Sequence, residues 1–427
     1  MSKTIITALD IGSTTVRSII AALEPKNKLS VLGTGVYPSE GIEKGVVKDI
    51  QALSAAIAKS LNMAENAAGS KAQNIYANIT GEQLRTQIGD GRISIPTEIP
   101  HEPGEIGQEH VDQVIADAKN SVKIQKGFER HKILHGIPHD FIIDTQDDIT
   151  NPIKMNGFHL TAKVLTILFE VTPLRNLAKC IELAGYEIDP ANFVLNHIAN
   201  SYSVLSDDER RLGSILIDMG GGTCDISIYY NSILEKILVI PMAGKAITED
   251  LAIGLKTTLS SAEYIKTQYG SAITDEADQS IEIEVEGISG RSSTCRTKYL
   301  VSHVIQHRVE EMLSICYNRS RDFYNPGTVT AGVIICGGSA NLEHIDSAVT
   351  NAFNLQVKLA RPDQSRFTDY QEHLNDPAFA TAIGILYYAM GFEHEPPSKS
   401  MKLGKISKKL DTSKIMEKIK SILKDFT

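Results

Sequence analysis

Two segments of the sequence place an aspartate at the end of an apolar run and then turn the chain sharply through small residues. In residues 8–15, Asp10 precedes Ile-Gly-Ser-Thr-Thr, and in residues 215–225, Asp218 precedes Met-Gly-Gly-Gly-Thr. An alternating apolar and polar run follows each turn, so each segment is predicted to begin a β-hairpin. The two aspartates are 208 residues apart, and the segments resemble two copies of one structural unit.

The small residues of these turns have a direct chemical use. A glycine has no Cβ, so backbone N–H groups beside it can approach phosphate oxygens, and threonine hydroxyls can add donors. Two carboxylates facing a polyanion would repel it unless a divalent cation lay between them, and Mg²⁺ suits carboxylate oxygens while keeping several waters. Asp10 and Asp218 are therefore predicted to hold Mg²⁺ through water. An ordinary glycine turn is the alternative for either segment alone. The predicted phosphate-binding residues are Gly12, Ser13, Thr14, Thr15, Gly220, Gly221, Gly222 and Thr223.

A third segment joins a hydrophobic strand to a double-glycine turn. Residues 333–336 are Val-Ile-Ile-Cys, the turn follows, and a helix is predicted to open at Leu342. Bare backbone at such a turn accommodates a base or ribose, and a helix N-terminus favours nearby negative charge. Two Asp-ended hairpins followed by this turn are more specific than any one part. The turn residues predicted to contact a nucleoside are Gly337, Gly338, Ser339 and Asn341.

This combination resembles the superfamily of actin, the sugar kinases and the heat-shock ATPases. The resemblance implies an α/β fold of the actin-like, ribonuclease H-like type, with two related halves, inserted subdomains and ATP between the hairpins. It also implies that Gly244 lies in the glycine turn after the second hairpin, and that Glu263 and Lys266, one helical turn apart, reach the ribose and base. A surface ion pair is the alternative for Glu263 and Lys266.

Within that superfamily the chain resembles the FtsA family of bacterial cell-division proteins. The likeness rests on residues 75–81, on residues 218–225, on the position of an insert in the first half and on a basic amphipathic C-terminus. It implies a protein that polymerises on the inner face of the cytoplasmic membrane at the division septum and anchors FtsZ, the tubulin-like division GTPase. The implied partners are the FtsZ C-terminal tail, further copies of the chain, an anionic membrane surface and later division proteins. A small-molecule kinase of the sugar-kinase type and a pilus-assembly actin-like adaptor are the alternatives.

The same resemblance, read with the apolar patterns, predicts the organisation of the chain. Thr172 is predicted to cap a helix that covers the first sheet, with Pro173 at its first position. The predicted units are a first core subdomain (1–82, 161–195 and part of 360–391), an inserted protein-contact subdomain for later division proteins (83–160), a second core subdomain (196–240 and 300–360), an insertion that binds the FtsZ tail (241–299), a linker (392–412) and a terminal helix (413–427).

The segment that joins the two halves lacks an obvious catalytic base. Actin-like ATPases usually place a carboxylate or glutamine there to orient the attacking water. This chain offers Asn196, which can hydrogen-bond a water but cannot act as a base, and His197, which is more often structural at a helix start. We therefore predict firm ATP binding and weak or absent hydrolysis, with Asn196 as the candidate for positioning water.

The C-terminal residues carry a charge pattern of their own. Residues 399–427 contain nine lysines and three acidic residues in a chain whose net charge is -9. From residue 413 onward, apolar residues recur at helical spacing and form one stripe bordered by lysines. A basic amphipathic helix of this kind suits an anionic membrane surface, and a helix docked on the core is the alternative. The predicted membrane-contacting residues are Lys414, Ile415, Met416, Lys418, Ile419, Ile422, Leu423 and Phe426.

Composition excludes several function classes. The 427 residues are 42% hydrophobic and 22% charged, as in ordinary globular proteins, and allow about three domain-sized units. An acidic average, 6% aromatic residues and no Trp argue against a nucleic-acid binder. The apolar run at residues 4–9 is too short for a signal peptide, so we expect a peripheral protein on the cytoplasmic side of the membrane. Five widely spaced cysteines are read as free thiols of a reducing compartment: Cys180, Cys224, Cys295, Cys316 and Cys336.

Overall fold

The computed structural model describes residues 4–97 and 99–391, which form a mixed α/β structure. The elements up to residue 195 are β1 (Ile5–Ile11), β2 (Thr15–Glu24), β3 (Lys28–Pro38), β4 (Ile42–Glu43), β5 (Val46–Val47), α1 (Ile50–Ala68), β6 (Ile75–Ile79), β7 (Leu84–Ser94), β8 (Gly104–Glu105), α2 (Gln108–Lys123), β9 (His131–Ile143), β10 (Gln146–Ile149), β11 (Asn156–Gly157), β12 (His159–Glu170), α3 (Val171–Leu183) and β13 (Phe193–Leu195). The elements that follow are α4 (Asn196–Val204), α5 (Asp207–Leu212), β14 (Ser214–Met219), β15 (Cys224–Tyr230), β16 (Ile233–Ile240), α6 (Gly244–Leu255), α7 (Leu259–Tyr269), β17 (Glu282–Val285), β18 (Thr294–Thr297), α8 (Lys298–Ser320), β19 (Val333–Cys336), α9 (Ile345–Phe353), β20 (Val357–Leu359) and α10 (Ala380–Ala389).

Two five-stranded sheets share one topology. The first has the order β3-β2-β1-β6-β13 and the second the order β16-β15-β14-β19-β20. In each sheet three antiparallel strands are followed by two strands that run parallel to the first of them. The repeat confirms the predicted actin-like fold of two related halves.

The first sheet is buried on both faces, which explains why its strands read as nearly continuous apolar runs. Leu9 and Ile11 of β1 pack in one core cluster with residues of α1 and α3. Ile6 and Ala8, which alternate with them, pack in a second cluster with residues of α10. The Asp-ended turn after β1 is therefore carried by a strand that packing holds from both sides.

The inserted segment forms a sheet of its own. Strands β10, β9, β12 and β7 pair in that order, all antiparallel, and α2 covers one face. Glycines let the helix approach closely: a Cβ built on Gly89 would lie 2.2 Å from the carbonyl oxygen of Ala118, and one on Gly91 would lie 2.2 Å from that of Val114.

Two predicted helix starts are wrong. The helix α3 begins at Val171, and its N-cap, Glu170, makes no side-chain capping bond, because β12 pairs with β9 as far as Glu170 and the chain turns directly into the helix. Thr172 therefore lies inside the helix. Leu342 has extended backbone, and the α-helix begins at Ile345.

The extended backbone at Leu342 is explained by a contact with a distant part of the chain. The double-glycine turn instead opens a 3-10 helix at Gly338–Asn341. The carbonyl of Glu343, just beyond it, accepts a hydrogen bond from the backbone N–H of Ala272 at 2.7 Å, which holds that part of the chain extended.

The predicted linker (392–412) and amphipathic helix (413–427) lie outside the described residues. Across residues 4–97 and 99–391, no helix is long and apolar enough to cross a membrane. All five cysteines are free.

The contact between α10 and α4 gives a test of the packing. A Cβ built on Gly384 of α10 would lie 1.8 Å from the carbonyl oxygen of Ala199, so Gly384→Ala must push the two helices apart. We expect it to lower the free energy of unfolding by about 2–3 kcal/mol, measured by urea denaturation.

Gly254→Ala is the matched control, because Gly254 also lies inside a helix and its nearest neighbour would be Val304 Cγ2 at 3.7 Å. This variant should keep or raise stability by up to about 1 kcal/mol. Equal losses in both variants would contradict the packing argument.

Candidate functional site

The two Asp-ended segments fold into the same turn. In the first, the N–H of Gly12 donates to the carbonyl of Thr15 at 3.1 Å, and in the second, the N–H of Gly220 donates to the carbonyl of Thr223 at 3.0 Å. Each turn links the first two strands of its sheet. The predicted duplication of the hairpin is therefore present in the fold, and each copy has the equivalent backbone hydrogen bond in its turn.

The register of the hairpins adds two residues that the sequence analysis missed. Asp10 pairs with Arg17 across the first hairpin, and Asp218 pairs with Asp225 across the second. Arg17 and Asp225 are themselves 208 residues apart, so the copies carry opposite charges at one equivalent position. The constant spacing was the signal that could have found them, since extending the repeat by two residues reaches both.

The two turns touch one another across the two halves. A Cβ built on Gly221 would lie 2.5 Å from Thr14 Cγ2, and one built on Gly222 would lie 2.3 Å from Ser13 Oγ. The backbone N–H groups of Ser13, Thr14, Gly221 and Gly222 make no hydrogen bond to any residue of the described ranges. Two sets of donors suited to phosphate oxygens are thus brought together.

Asp10 is buried, and three neighbours define its state. The side-chain amide of Asn78 donates to Oδ1 at 2.9 Å, and Arg17 Nη1 lies 3.8 Å from Oδ2. Burial raises the pKa of Asp10 to about 7, because a charged carboxylate loses its hydration. Arg17 opposes that rise and Asp218 adds to it.

Asp218 is held from the second half and from the helix α10. The amide of Asn200 donates to its Oδ2 at 2.7 Å, and Thr381 in turn donates to the Asn200 side-chain carbonyl at 2.9 Å. Burial, followed by the neighbouring Asp225 carboxylate, raises the pKa of Asp218 to about 7. Gly337, at φ +88°, has to be glycine here, since its Cβ would lie 2.2 Å from Asp218 Oδ1.

Asp225 is the third buried carboxylate of the site. Its Oδ1 accepts a hydrogen bond from the Thr80 hydroxyl at 2.8 Å, whereas its buried Oδ2 has no partner of good geometry in the part of the chain that the structure describes. Burial raises the pKa of Asp225 to about 7, and the nearby Thr80, Asn196 and Thr223 side chains lower it in part. An orphaned buried carboxylate oxygen is costly unless something binds it.

The charges of this cluster fit a divalent cation. The carboxylates of Asp10 and Asp218 both interact with the Arg17 guanidinium, which also packs over the Phe379 ring at 5.5 Å, and the Asp225 carboxylate lies beside Asp218. Oxygen ligands in a buried acidic cluster are the donor set that Mg²⁺ prefers. In the part of the chain that the structure describes, no three Asp, Glu, His or Cys side chains form a direct metal site. The carboxylates therefore suit only a cation that keeps most of its waters, and Mg²⁺ stays a prediction.

The residues predicted for a nucleoside converge beside the second turn. The carbonyl of Gly220 accepts from the N–H of Gly244 at 3.1 Å and from the Ser339 hydroxyl at 2.8 Å. Lys266 Nζ donates to the Gly244 carbonyl at 3.1 Å and to Glu263 Oε2 at 2.7 Å. Glu263 and Lys266 do form an ion pair beside the second turn, in which the Lys266 side chain is 12% exposed and the Glu263 side chain is 44% exposed.

Asn341 and the residues of the connecting segment have structural partners. Asn341 donates to Asp376 Oδ1 at 2.8 Å, which ties the glycine turn to the segment before α10. Asn196 Oδ1 accepts from the Asn78 amide at 3.1 Å, within the carboxylate cluster. His197 is buried, donates from Nε2 to the Leu238 carbonyl at 3.1 Å, and has its pKa lowered to about 4 by burial. His197 is thus a neutral structural residue near pH 7.

The topology and the paired turns define the chain as an actin-like protein. Among solved structures it resembles the PilM–PilN type IV pilus biogenesis complex (TM-score 0.61, 14% identity, 91% of this chain and 99% of that one) and MreB5 of Spiroplasma citri bound to ADP (TM-score 0.51, 13% identity, 90% and 95%). At these identities the likeness concerns the fold alone.

Sequence comparison identifies the family. The family model "Cell division protein FtsA" matches residues 215–384, and "SHS2 domain inserted in FTSA" matches residues 81–168. The cell division protein FtsA of Neisseria meningitidis is 33% identical over 393 residues, covering 92% of each chain, and that of Escherichia coli K12 is 30% identical over 394 residues, covering 90% of each. The chain belongs to the FtsA family, as its sequence motifs predicted.

The raised pKa values predict how stability depends on pH. A carboxyl group whose folded pKa lies above its ordinary value stabilises the fold at low pH, and this contribution is lost as pH rises from about 4 through about 7. In buffer without metal or nucleotide, Asp225→Asn should therefore be more stable than the parent at pH 8, by about 1–3 kcal/mol. The difference should vanish towards pH 4, as measured by thermal unfolding.

Asp322→Asn serves as the control, since that side chain is 81% exposed and stays hydrated on folding. A parent protein as stable as Asp225→Asn at pH 8 would show that the Asp225 carboxylate is not destabilised by its surroundings.

Proposed function

We propose that this protein binds ATP with Mg²⁺ between its two hairpins and acts as the membrane-bound actin-like adaptor of cell division. The observation that carries the proposal is the contact of the two Asp-ended turns across the two halves, with unpaired N–H groups on both. One of its fold neighbours, MreB5, was solved bound to ADP, which agrees with a nucleotide in this crevice.

Each part of the site has a role in this proposal. The phosphates accept hydrogen bonds from N–H groups of the two turns, and the hydroxyls of Thr15 and Thr223 add donors. Asp10 and Asp218 hold Mg²⁺ through water, which neutralises phosphate charge when it is bound. Arg17 lies beside Asp10 and supplies a further positive charge at the phosphates. The adenosine lies against Gly244, Glu263, Lys266, Gly337, Gly338, Ser339 and Asn341.

Hydrolysis is expected to be slow or absent. In the connecting segment, Asn196 can hold a water but cannot remove its proton, and the buried ring of His197 is committed to the Leu238 carbonyl. Bound nucleotide then serves mainly to fix the relative orientation of the two halves. The contacts between subunits in a filament depend on that orientation.

The family and the charge pattern of the tail support a proposal for assembly and membrane attachment. We propose that the chain polymerises on the inner face of the cytoplasmic membrane at the septum, held by residues 413–427. The insertion at 241–299 takes the FtsZ tail: its Ile253, Leu259 and Tyr264 are exposed, with Ile253 at 76%. Residues 83–160 contact later division proteins, and no role with nucleic acid is proposed.

Removing residues 413–427 should abolish sedimentation with vesicles that contain anionic lipid, while ATP binding is unchanged. The matched substitutions are Ile422→Asp, in the apolar stripe, and Ser421→Asp, on the opposite side of the predicted helix. Both add one negative charge, so only the first should release the protein at moderate salt. Sedimentation that survives the deletion would contradict the membrane anchor.

Asp218→Ala tests the nucleotide site. Loss of this carboxylate should weaken binding of Mg-ATP at least about tenfold, measured by titration calorimetry, because a cation ligand is gone. Thermal stability should fall little or rise, since a destabilised buried carboxyl group is removed. Unchanged affinity would refute the assignment of Asp218.

A further inference from the structure

The strand β6 ends beside both hairpins. Residues at its end contact carboxylates of both, although β6 belongs to neither hairpin. β6 lies between β1 and β13 in the first sheet and is fixed by parallel pairing on both sides. Asn78 near its end is buried, and Thr80 follows two residues later. Residues two apart along a strand point to the same side, so both side chains are directed towards the carboxylates.

Asn78 uses its entire side-chain amide. Its Oδ1 accepts a hydrogen bond from the N–H of Ile11 at 2.6 Å, and its Nδ2 donates to Asp10 Oδ1 at 2.9 Å and to Asn196 Oδ1 at 3.1 Å. An amide has two N–H donors and one carbonyl, and each has a partner here. Asn78 thereby fixes both the Asp10 carboxylate and the peptide that follows it.

Thr80 makes the corresponding contact to a carboxylate of the second half. Its hydroxyl donates to Asp225 Oδ1 at 2.8 Å, although Thr80 belongs to the first half and Asp225 to the second hairpin. The backbone of Thr80 is itself confined, since a Cβ built on Gly45 would lie 2.4 Å from the Thr80 carbonyl oxygen. The adjacent Lys44 backbone nitrogen would lie 3.1 Å from a Cβ on Gly222.

One strand end therefore holds one carboxylate of each hairpin. Mg²⁺ requires near-ideal octahedral geometry, so the placement of the carboxylates around it matters more for the metal than for the base or ribose. Residues that hold metal-binding groups in place typically change metal affinity about 10–100-fold when they are replaced.

We propose that Asn78 and Thr80 are positioning residues that set how strongly Mg²⁺ tightens nucleotide binding. The inference rests on the proposed function, because it concerns the same crevice. The end of β6 is thereby a third segment of the chain that forms the site, in addition to the two hairpins. The effect acts through Asp10 directly and, on the other side, through Asp225, whose charge acts on Asp218. Neither Asn78 nor Thr80 need touch the nucleotide.

The test compares ATP affinity in Mg²⁺ with ATP affinity in EDTA, by titration calorimetry on the full chain. In Asn78→Ala the tightening caused by Mg²⁺ should shrink about tenfold, while the affinity in EDTA stays within about twofold of the parent. Thr80→Val has nearly the shape of threonine without its hydroxyl and should show the same effect. Thr80→Ser keeps the hydroxyl and should restore the parental ratio.

The outcomes separate the inference from the function on which it rests. Equal loss of affinity in Mg²⁺ and in EDTA would mean that these residues only support the fold, and would overturn the inference. So would identical behaviour of Thr80→Val and Thr80→Ser. If Asn78→Ala does not fold, the threonine pair decides. A parent chain that binds no ATP would overturn the proposed function itself, and the inference with it.

Discussion

The structure depends on the enclosure of three carboxylates and one guanidinium between two touching turns. Burial raises the pKa values of Asp10, Asp218 and Asp225, because a buried carboxylate loses its hydration, so the ionised forms of these groups are disfavoured in the crevice. Arg17 balances only part of that charge. In the proposed function, a metal-bound polyanion would occupy this crevice and link its occupancy to the contact between the halves.

Duplication explains how such a site is held in place. Each aspartate ends the first strand of a three-stranded antiparallel unit, and each turn closes with the same glycine-to-threonine hydrogen bond. The two aspartates then have different supports: Asn78 of the strand β6 holds Asp10, whereas Asn200 of α4 and Thr381 of α10 hold Asp218. Because Thr381 lies in the first turn of α10, a change at the second hairpin also affects the last helix of the described residues.

Local patterns predicted much of this, and long-range contacts could not be predicted in the same way. The hairpins and the glycine turn follow from strand alternation and glycine spacing, which act over a few residues, whereas the helix of Glu263 was expected from the family resemblance. The helix start at Leu342 was wrong because Glu343 pairs with Ala272, about 70 residues away. Asn78 and Thr80 escaped the site prediction for the same reason: their partners lie on other strands, and only register brings them together.

The account is tested most directly by a crystal structure of the full chain with Mg²⁺ and a non-hydrolysable ATP analogue. It predicts one nucleotide whose terminal phosphates lie within hydrogen-bond distance of backbone N–H groups in both turns, with the metal on the side of Asp10 and Asp218. A nucleotide bound by one turn alone, or bound outside the crevice while the two turns remain in contact, would contradict it.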